Sequence, residues 1–314
     1  MEYTHYKEIR AAYIKLWYQK KYSQISALID YAMERFPEYY DYAAYDRLDL
    51  QIETEDYQGG LDTIENIHRR GYACPPYLLD QLKTFSQYQK MQDENDRLIA
   101  QARVKATMKY DVHLPAGYTD QDRYPLFLVL HGDGPGGNNE YQSWYWEPHV
   151  MLNHSIIAVY VQSSQVYSPG HFAWLDDYSI AKKDIKNCYD QISAQYSIDP
   201  ANIYMGGYSG GAIMATEVVL ANDLPIKGWV ALCPEDKPPA FTRANLLEAM
   251  KRGVKGVFME GELKALLPDE QEMVDMFQEI GFPYELYINE GIGHSFPDDF
   301  GEKLDMAISF ITRK

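Results

Sequence analysis

The chain has 314 residues and a formal net charge of −17, long enough for one full-sized domain with an accessory region. That charge disfavours nucleic acid, whose phosphates need clustered Lys and Arg, and it disfavours adsorption to an anionic membrane surface. No run approaches the ~20 apolar residues of a membrane-spanning helix, and the cysteines, Cys74, Cys188 and Cys233, are odd in number and widely spaced, which reads as reduced thiols in a cytoplasmic protein.

The start, Met1 to Glu8, lacks the apolar core of a secretory signal. Residues 1–100 carry apolar positions at helical spacing, with Ile25, Leu28, Ile29, Ala32 and Phe36 on one stripe. A helix is predicted from Lys21-Tyr22 to Phe36, and another from Asp56-Tyr57 with Leu61, Ile64 and Ile67 at its core. The two starts lie about one 34-residue helix-turn-helix repeat apart. The likeness to tetratricopeptide repeats is loose, since their Trp-Leu-Gly-Tyr pattern is absent, and a plain helical cap is the alternative. Gln87 to Ala102 reads as a polar helix or linker, and the boundary falls near residue 100. Arg103 to Leu114, with alternating Val104, Ala106, Met108, Val112 and Leu114, predicts an edge strand.

Tyr124 to Leu130 is a continuous apolar run, as in a strand buried on both faces. It ends in His131-Gly132-Asp133-Gly134 and Pro135-Gly136-Gly137-Asn138, a segment able to curl and aim N–H groups at an anion. No Gly-Lys-Ser/Thr follows, which argues against a phosphate loop. The next stretch is aromatic, with Tyr141, Trp144, Tyr145, Trp146, Tyr167, Phe172, Trp174 and Tyr178. These would either line an apolar pocket or pack helices onto the sheet, while His171 reads as a loop residue. Helices are predicted over 179–196, 243–252 and 301–312, the last with Leu304, Ala307, Ile308 and Ile311 inward.

The apolar run Ile203 to Met205 leads into Gly207-Tyr208-Ser209-Gly210-Gly211, and Ala212-Ile213-Met214-Ala215 opens a packed helix. A strand that turns into a helix at serine needs small neighbours, because a Cβ on either side would collide. The helix N-terminus then supplies N–H groups and the positive end of a dipole. Further on, Lys255 to Glu260 and Tyr284 to Ile288 read as strands. Pro268-Asp269-Glu270 reads as a helix start, and Gly293-His294-Ser295-Phe296-Pro297 forms a loop before the last helix.

From about Arg103 to Lys314 the chain resembles the α/β-hydrolase superfamily, in its small-esterase, dienelactone-hydrolase-like and prolyl-oligopeptidase-like branches. The resemblance rests on Pro125-Leu126 through Leu130-His131-Gly132, on Tyr196-Ser197-Ile198-Asp199-Pro200, and on the segments around Ser209 and His294. It implies a mostly parallel sheet with helices on both faces, Ser209 as nucleophile and His294 as base. The backbone amides of Asp133 and Gly210 would form the oxyanion hole.

The family's Gly-x-x-Asp after the strand ending at Glu260 reads here Gly261-Glu262-Leu263-Lys264, and a lysine cannot accept the histidine proton. Glu262 is the acid favoured for His294. Glu235 or Asp236 from the preceding strand end, Asp269, or no acid at all are the alternatives. The expected activity is hydrolysis of a small carboxylic ester through an acyl-serine, with no cofactor and no metal. A short-peptide serine peptidase is one alternative. The other is a non-catalytic binding protein that recruits a partner protein through its N-terminal helices.

Overall fold

The computed structural model describes residues 2–264 and 266–313. It divides into two compact units: residues up to Ala106 with Val166–His171, and Thr107–Gln165 with Phe172 onward.

The first unit is built from α1 (Tyr6–Tyr18), α2 (Tyr22–Arg35), α3 (Tyr40–Glu53), α4 (Tyr57–Arg69), α5 (Pro76–Leu79) and α6 (Tyr88–Arg103). The stripe of α2 buries Ile25, Leu28, Ile29 and Ala32, and α4 buries Leu61, Ile64 and Ile67. The Asp56 side chain starts α4 by accepting from the Gly59 amide at 3.1 Å. Met91, Asn95, Leu98 and Ile99 give α6 a buried face at helical spacing, which carries that helix on to Arg103. The strand expected from Arg103 is therefore shorter and begins only at Lys109.

In the second unit β1 (Lys109–His113) precedes β2 (Tyr124–Leu130), α7 (Asn139–Ser143), α8 (Pro148–Asn153) and β3 (Ile157–Gln162). Next along the chain come β4 (Gln165–Ser168) and β5 (His171–Ala173), a two-stranded pair of which residues 166–171 count with the first unit, and then α9 (Tyr178–Gln195) in the second. The chain then continues through β6 (Ile198–Tyr208), α10 (Gly210–Ala221), β7 (Ile226–Leu232), α11 (Arg243–Lys251) and β8 (Lys255–Gly261). It closes with α12 (Pro268–Ile280), β9 (Tyr284–Asn289) and α13 (Phe300–Thr312).

Seven strands form one sheet in the order β1-β3-β2-β6-β7-β8-β9. Only the edge strand β1 runs antiparallel to its neighbour, β3. The other strands pair in parallel, so their carboxyl ends share one edge. Strand β6 is longer than its apolar core predicts, because its first residues extend the pairing to Tyr124↔Ile198 across a register shift.

Alternation explains the unbroken apolar runs. Leu126, Leu128 and Leu130 face a core shared with α9, α10, α11 and α12, while Phe127 and Val129 face a second core with α8 and α13. Every residue from Gly210 to Leu220 in α10 is buried. That helix is enclosed, its residues apolar but for Thr216 and the ion-paired Glu217, and its fixed N-terminus anchors the residue before it, Ser209.

Candidate active site

Ser209 stands between β6 and α10 with φ 52° and ψ −123°, a backbone region that residues with a Cβ rarely adopt. The turn is possible because its neighbours lack side chains. A Cβ on Gly207 would collide with the Gly211 carbonyl, and one on Gly211 would strike the carbonyls of Leu130 and His131. The Ser209 amide donates to Leu232 O at 2.9 Å, which ties the turn to the end of β7. Serine normally caps a helix through its hydroxyl, yet Ser209 does not cap α10. Its Oγ makes no hydrogen bond with any described residue.

The segment after β2 is braced from inside. The His131 Nε2 accepts from the Ser163 amide at 3.1 Å, so Nδ1 carries the proton and donates to Gly132 O at 2.7 Å. Burial pushes this imidazole down to about 4, which keeps it neutral. The Asp133 carboxylate accepts from the amides of Trp174 at 2.8 Å and Leu175 at 3.2 Å. Burial raises that carboxyl to about 6, against the opposing pull of those two amides. A Cβ on Gly210 would fall on the Asp133 carboxylate, which would have to move from its place on the Trp174 and Leu175 amides. Asp133 and Gly210 are thereby neighbours. Neither of their amides has an acceptor among the described residues.

His294 lies after β9, with its ring 5.0 Å from the Tyr208 ring, beside the serine turn. The Tyr208 hydroxyl donates to His294 O at 3.0 Å. Phe296 continues the aromatic layer, 4.5 Å from Tyr208 and stacked 4.0 Å from Tyr145. On the other side of the imidazole, Nδ1 lies 3.3 Å from Glu235 Oε1. Burial lowers the His294 pKa; Glu235 works against that shift and Lys264 adds to it.

The structure does not bring Glu262 to His294. The Glu262 carboxylate accepts from the Gly291 amide at 3.0 Å, closing the loop after β8 onto the loop after β9. The carboxylate at His294 belongs to Glu235, from the loop after β7. Asp236 is exposed, and Asp269 sits in the first turn of α12. Glu235 has φ 44°, and its amide donates to Glu270 Oε1 at 3.1 Å. The second Glu270 oxygen accepts from the Leu267 amide at 2.6 Å.

Beneath lies Glu260, at the end of β8 beside Glu270 and the Cys233 thiol. Burial first, then the Glu270 charge, raises Glu260 to about 9, so it is protonated at neutral pH. Spacing gave no hint of this acid pair, because its members are adjacent only once β8 and α12 are folded.

Trp146 and Trp174 are packing residues, both fully buried, and Trp174 Nε1 donates to His131 O at 2.9 Å. His171 is not a loop residue. It opens β5, is 1% exposed, and its Nε2 lies 2.8 Å from Asp41 Oδ2 within the helical unit. Among the described residues no group of three His, Cys, Asp or Glu could hold a metal ion. No helix among them is long and apolar enough to cross a membrane.

No family model matches the chain. Poly(3-hydroxyalkanoate) depolymerase C of Paucimonas lemoignei is 29% identical over 142 residues, 41% of this chain; the match spans 33% of that enzyme's length. An uncharacterized protein from Bacillus cereus ATCC 10987 is structurally similar over 98% of this chain and 99% of its own, with 20% identity and a TM-score of 0.52. Esterase PE8 is similar over 65% of this chain and 99% of its own, with 16% identity and a TM-score of 0.50. A ferulic acid esterase is similar over 66% and 92%, with 16% identity and a TM-score of 0.51. The chain has an α/β-hydrolase fold preceded by an all-helical N-terminal region.

Proposed function

We propose that this chain is a serine hydrolase that cleaves a small carboxylic ester, with Ser209, His294 and Glu235 as its triad. The observation that carries the reading is Ser209 itself, held at positive φ at the head of a buried helix with an uncommitted hydroxyl. Natural proteins retain such strain where it positions a reacting group.

In this mechanism Ser209 Oγ attacks the ester carbonyl carbon while its proton passes to His294 Nε2, the nitrogen that does not face Glu235. The carbonyl π pair becomes an oxyanion, which the amides of Asp133 and Gly210 bind. Collapse expels the alkoxide, which takes the proton back from His294 and leaves as the alcohol. Water then attacks the acyl-serine with His294 as base, releasing the carboxylic acid and restoring Ser209. Hydrogen bonds between serine and histidine are often long without substrate and tighten on binding.

The structurally similar esterases and the poly(3-hydroxyalkanoate) depolymerase relative support an ester over a peptide. The three cysteines are free and buried, which supports a reducing, cytoplasmic setting.

Intact-mass analysis after exposure to a fluorophosphonate tests the reading. One adduct is expected on wild type and none on Ser209→Ala. An unmodified, folded wild type would sink the assignment and favour a binding role.

A further inference from the structure

Lys264 stands where the resemblance calls for an acid, and the ester mechanism gives it no task. Its Nζ lies 2.5 Å from Glu235 Oε1, the same oxygen that faces His294 Nδ1 at 3.3 Å. Three loops therefore meet on one carboxylate atom: those after β7, β8 and β9. The Lys264 and Glu235 side chains are 39% and 32% exposed. An ion pair that wet adds little to stability. It does determine where the carboxylate points, since Glu235 is otherwise fixed through its backbone, by φ 44° and by the amide bond to Glu270.

We propose that Lys264 is a positioning residue for the hydrolytic site, clamping Glu235 against His294 and taking up part of the carboxylate charge that the imidazolium would otherwise use. This rests on the Ser209–His294–Glu235 reading above.

The charged and titratable groups around the imidazole come from several elements. Glu235 and Lys264 approach from the loops after β7 and β8, and the Tyr208 hydroxyl from the end of β6. Behind Glu235 lie Glu270 of α12, the protonated Glu260 of β8 and the Cys233 thiol, which donates to Ser295 O at 3.9 Å. Lys264 brings a cation to this group, against the Glu235 carboxylate. Removing its charge leaves the imidazolium better stabilised, so His294 must shed its proton at higher pH before it can act as base.

The test is the pH profile of kcat/KM for p-nitrophenyl acetate, with the rate of fluorophosphonate labelling followed alongside, on wild type, Lys264→Met and Lys264→Arg. In Lys264→Met the acid limb of both profiles should move up by roughly 0.5–1 pH unit. Its plateau kcat should fall several-fold with KM little changed, because a loosened Glu235 orients the imidazole less well. Lys264→Arg keeps the cation and should keep the wild-type limb. An acid limb of Lys264→Met that coincides with wild type or moves down would overturn the proposal. So would a Lys264→Arg limb displaced as far as that of Lys264→Met. A wild type that labels at Ser209 while the limb stays fixed removes only the role of Lys264; a wild type that never labels removes the triad beneath it.

Discussion

The helical unit and the sheet unit differ in where their strained polar residues gather. In the helical unit several are matched to partners, although burial and then the Asp46 charge raise the Asp49 carboxyl to about 6. The Asn95 side chain accepts from the Cys74 amide at 2.6 Å and donates to its carbonyl at 2.9 Å, and Asp41 meets His171 at 2.8 Å. The non-glycine residues at positive φ there, Lys20 and Glu55, follow helix ends, where a left-handed residue closes the last turn. In the sheet unit Ser209, Cys233 and Glu235 adopt positive φ at strand ends, and two acids, Glu260 and Glu270, are pressed together beneath them. Satisfied polar groups hold a fold in place. Polar groups kept in strain or in conflict mark the place where the fold does something else.

The largest expected effect tests which of two glutamates belongs to the strained set. Glu235→Gln should lower ester turnover by ~10²–10⁴-fold, because an amide can neither compensate the imidazolium nor hold its tautomer. Glu262→Gln should stay within about threefold of wild type, its acceptor oxygen remaining available to the Gly291 amide. Steady-state kinetics on both variants decides the matter. The reverse order of effects would restore Glu262 as the acid.

The difference between these two glutamates also marks how far the sequence could be read. Ser209 and its turn were legible because the constraint is local: Gly207 and Gly211 lie within two residues of the serine and touch each other. The buried strand Tyr124–Leu130 and the stripe of α2 were legible for the same reason, since period and face are set by neighbours in sequence. The acid was not. Loops after both β7 and β8 carry glutamates, and which one reaches His294 depends on a left-handed backbone at Glu235 that its side chain does not encode. His171 was misread because its partner Asp41 lies far back in the chain, on α3. The span of α6 was underread because a polar helix looks like a linker until Met91, Leu98 and Ile99 find a core.

The satisfied side of the comparison predicts a loss of stability. Ile64 is fully buried in α4 among Leu48, Leu61, Ile67 and Leu82. Ile64→Ala removes most of a side chain from a close-packed site and should cost ~2–5 kcal/mol of folding free energy. Denaturant titration followed by far-UV circular dichroism reads this. A midpoint equal to wild type would mean that the stripe on α4 does not anchor the helical unit.

The smallest effect concerns the pair of acids in conflict, and its sign follows from where the proton sits. Glu260 rises from 4.5 to about 9 on burial, so between those values the folded protein holds a proton that the unfolded chain has released. Stability attributable to this group is therefore greatest at low pH and declines as pH rises toward 9. The decline is at most ~1.4 kcal/mol per pH unit, and less where neighbouring groups share the proton. Glu260→Gln is neutral in both states and can still donate to Glu270, so it should remove the slope. Its melting temperature should match wild type near pH 5 and exceed it by a few degrees near pH 8. Parallel melting curves for the two proteins across that range would show that Glu260 is ionised in the fold, and the acid pair would then need a cation beside it. Lys264 already pairs with the Glu235 carboxylate, so a cation for the acid pair would have to come from elsewhere in the fold.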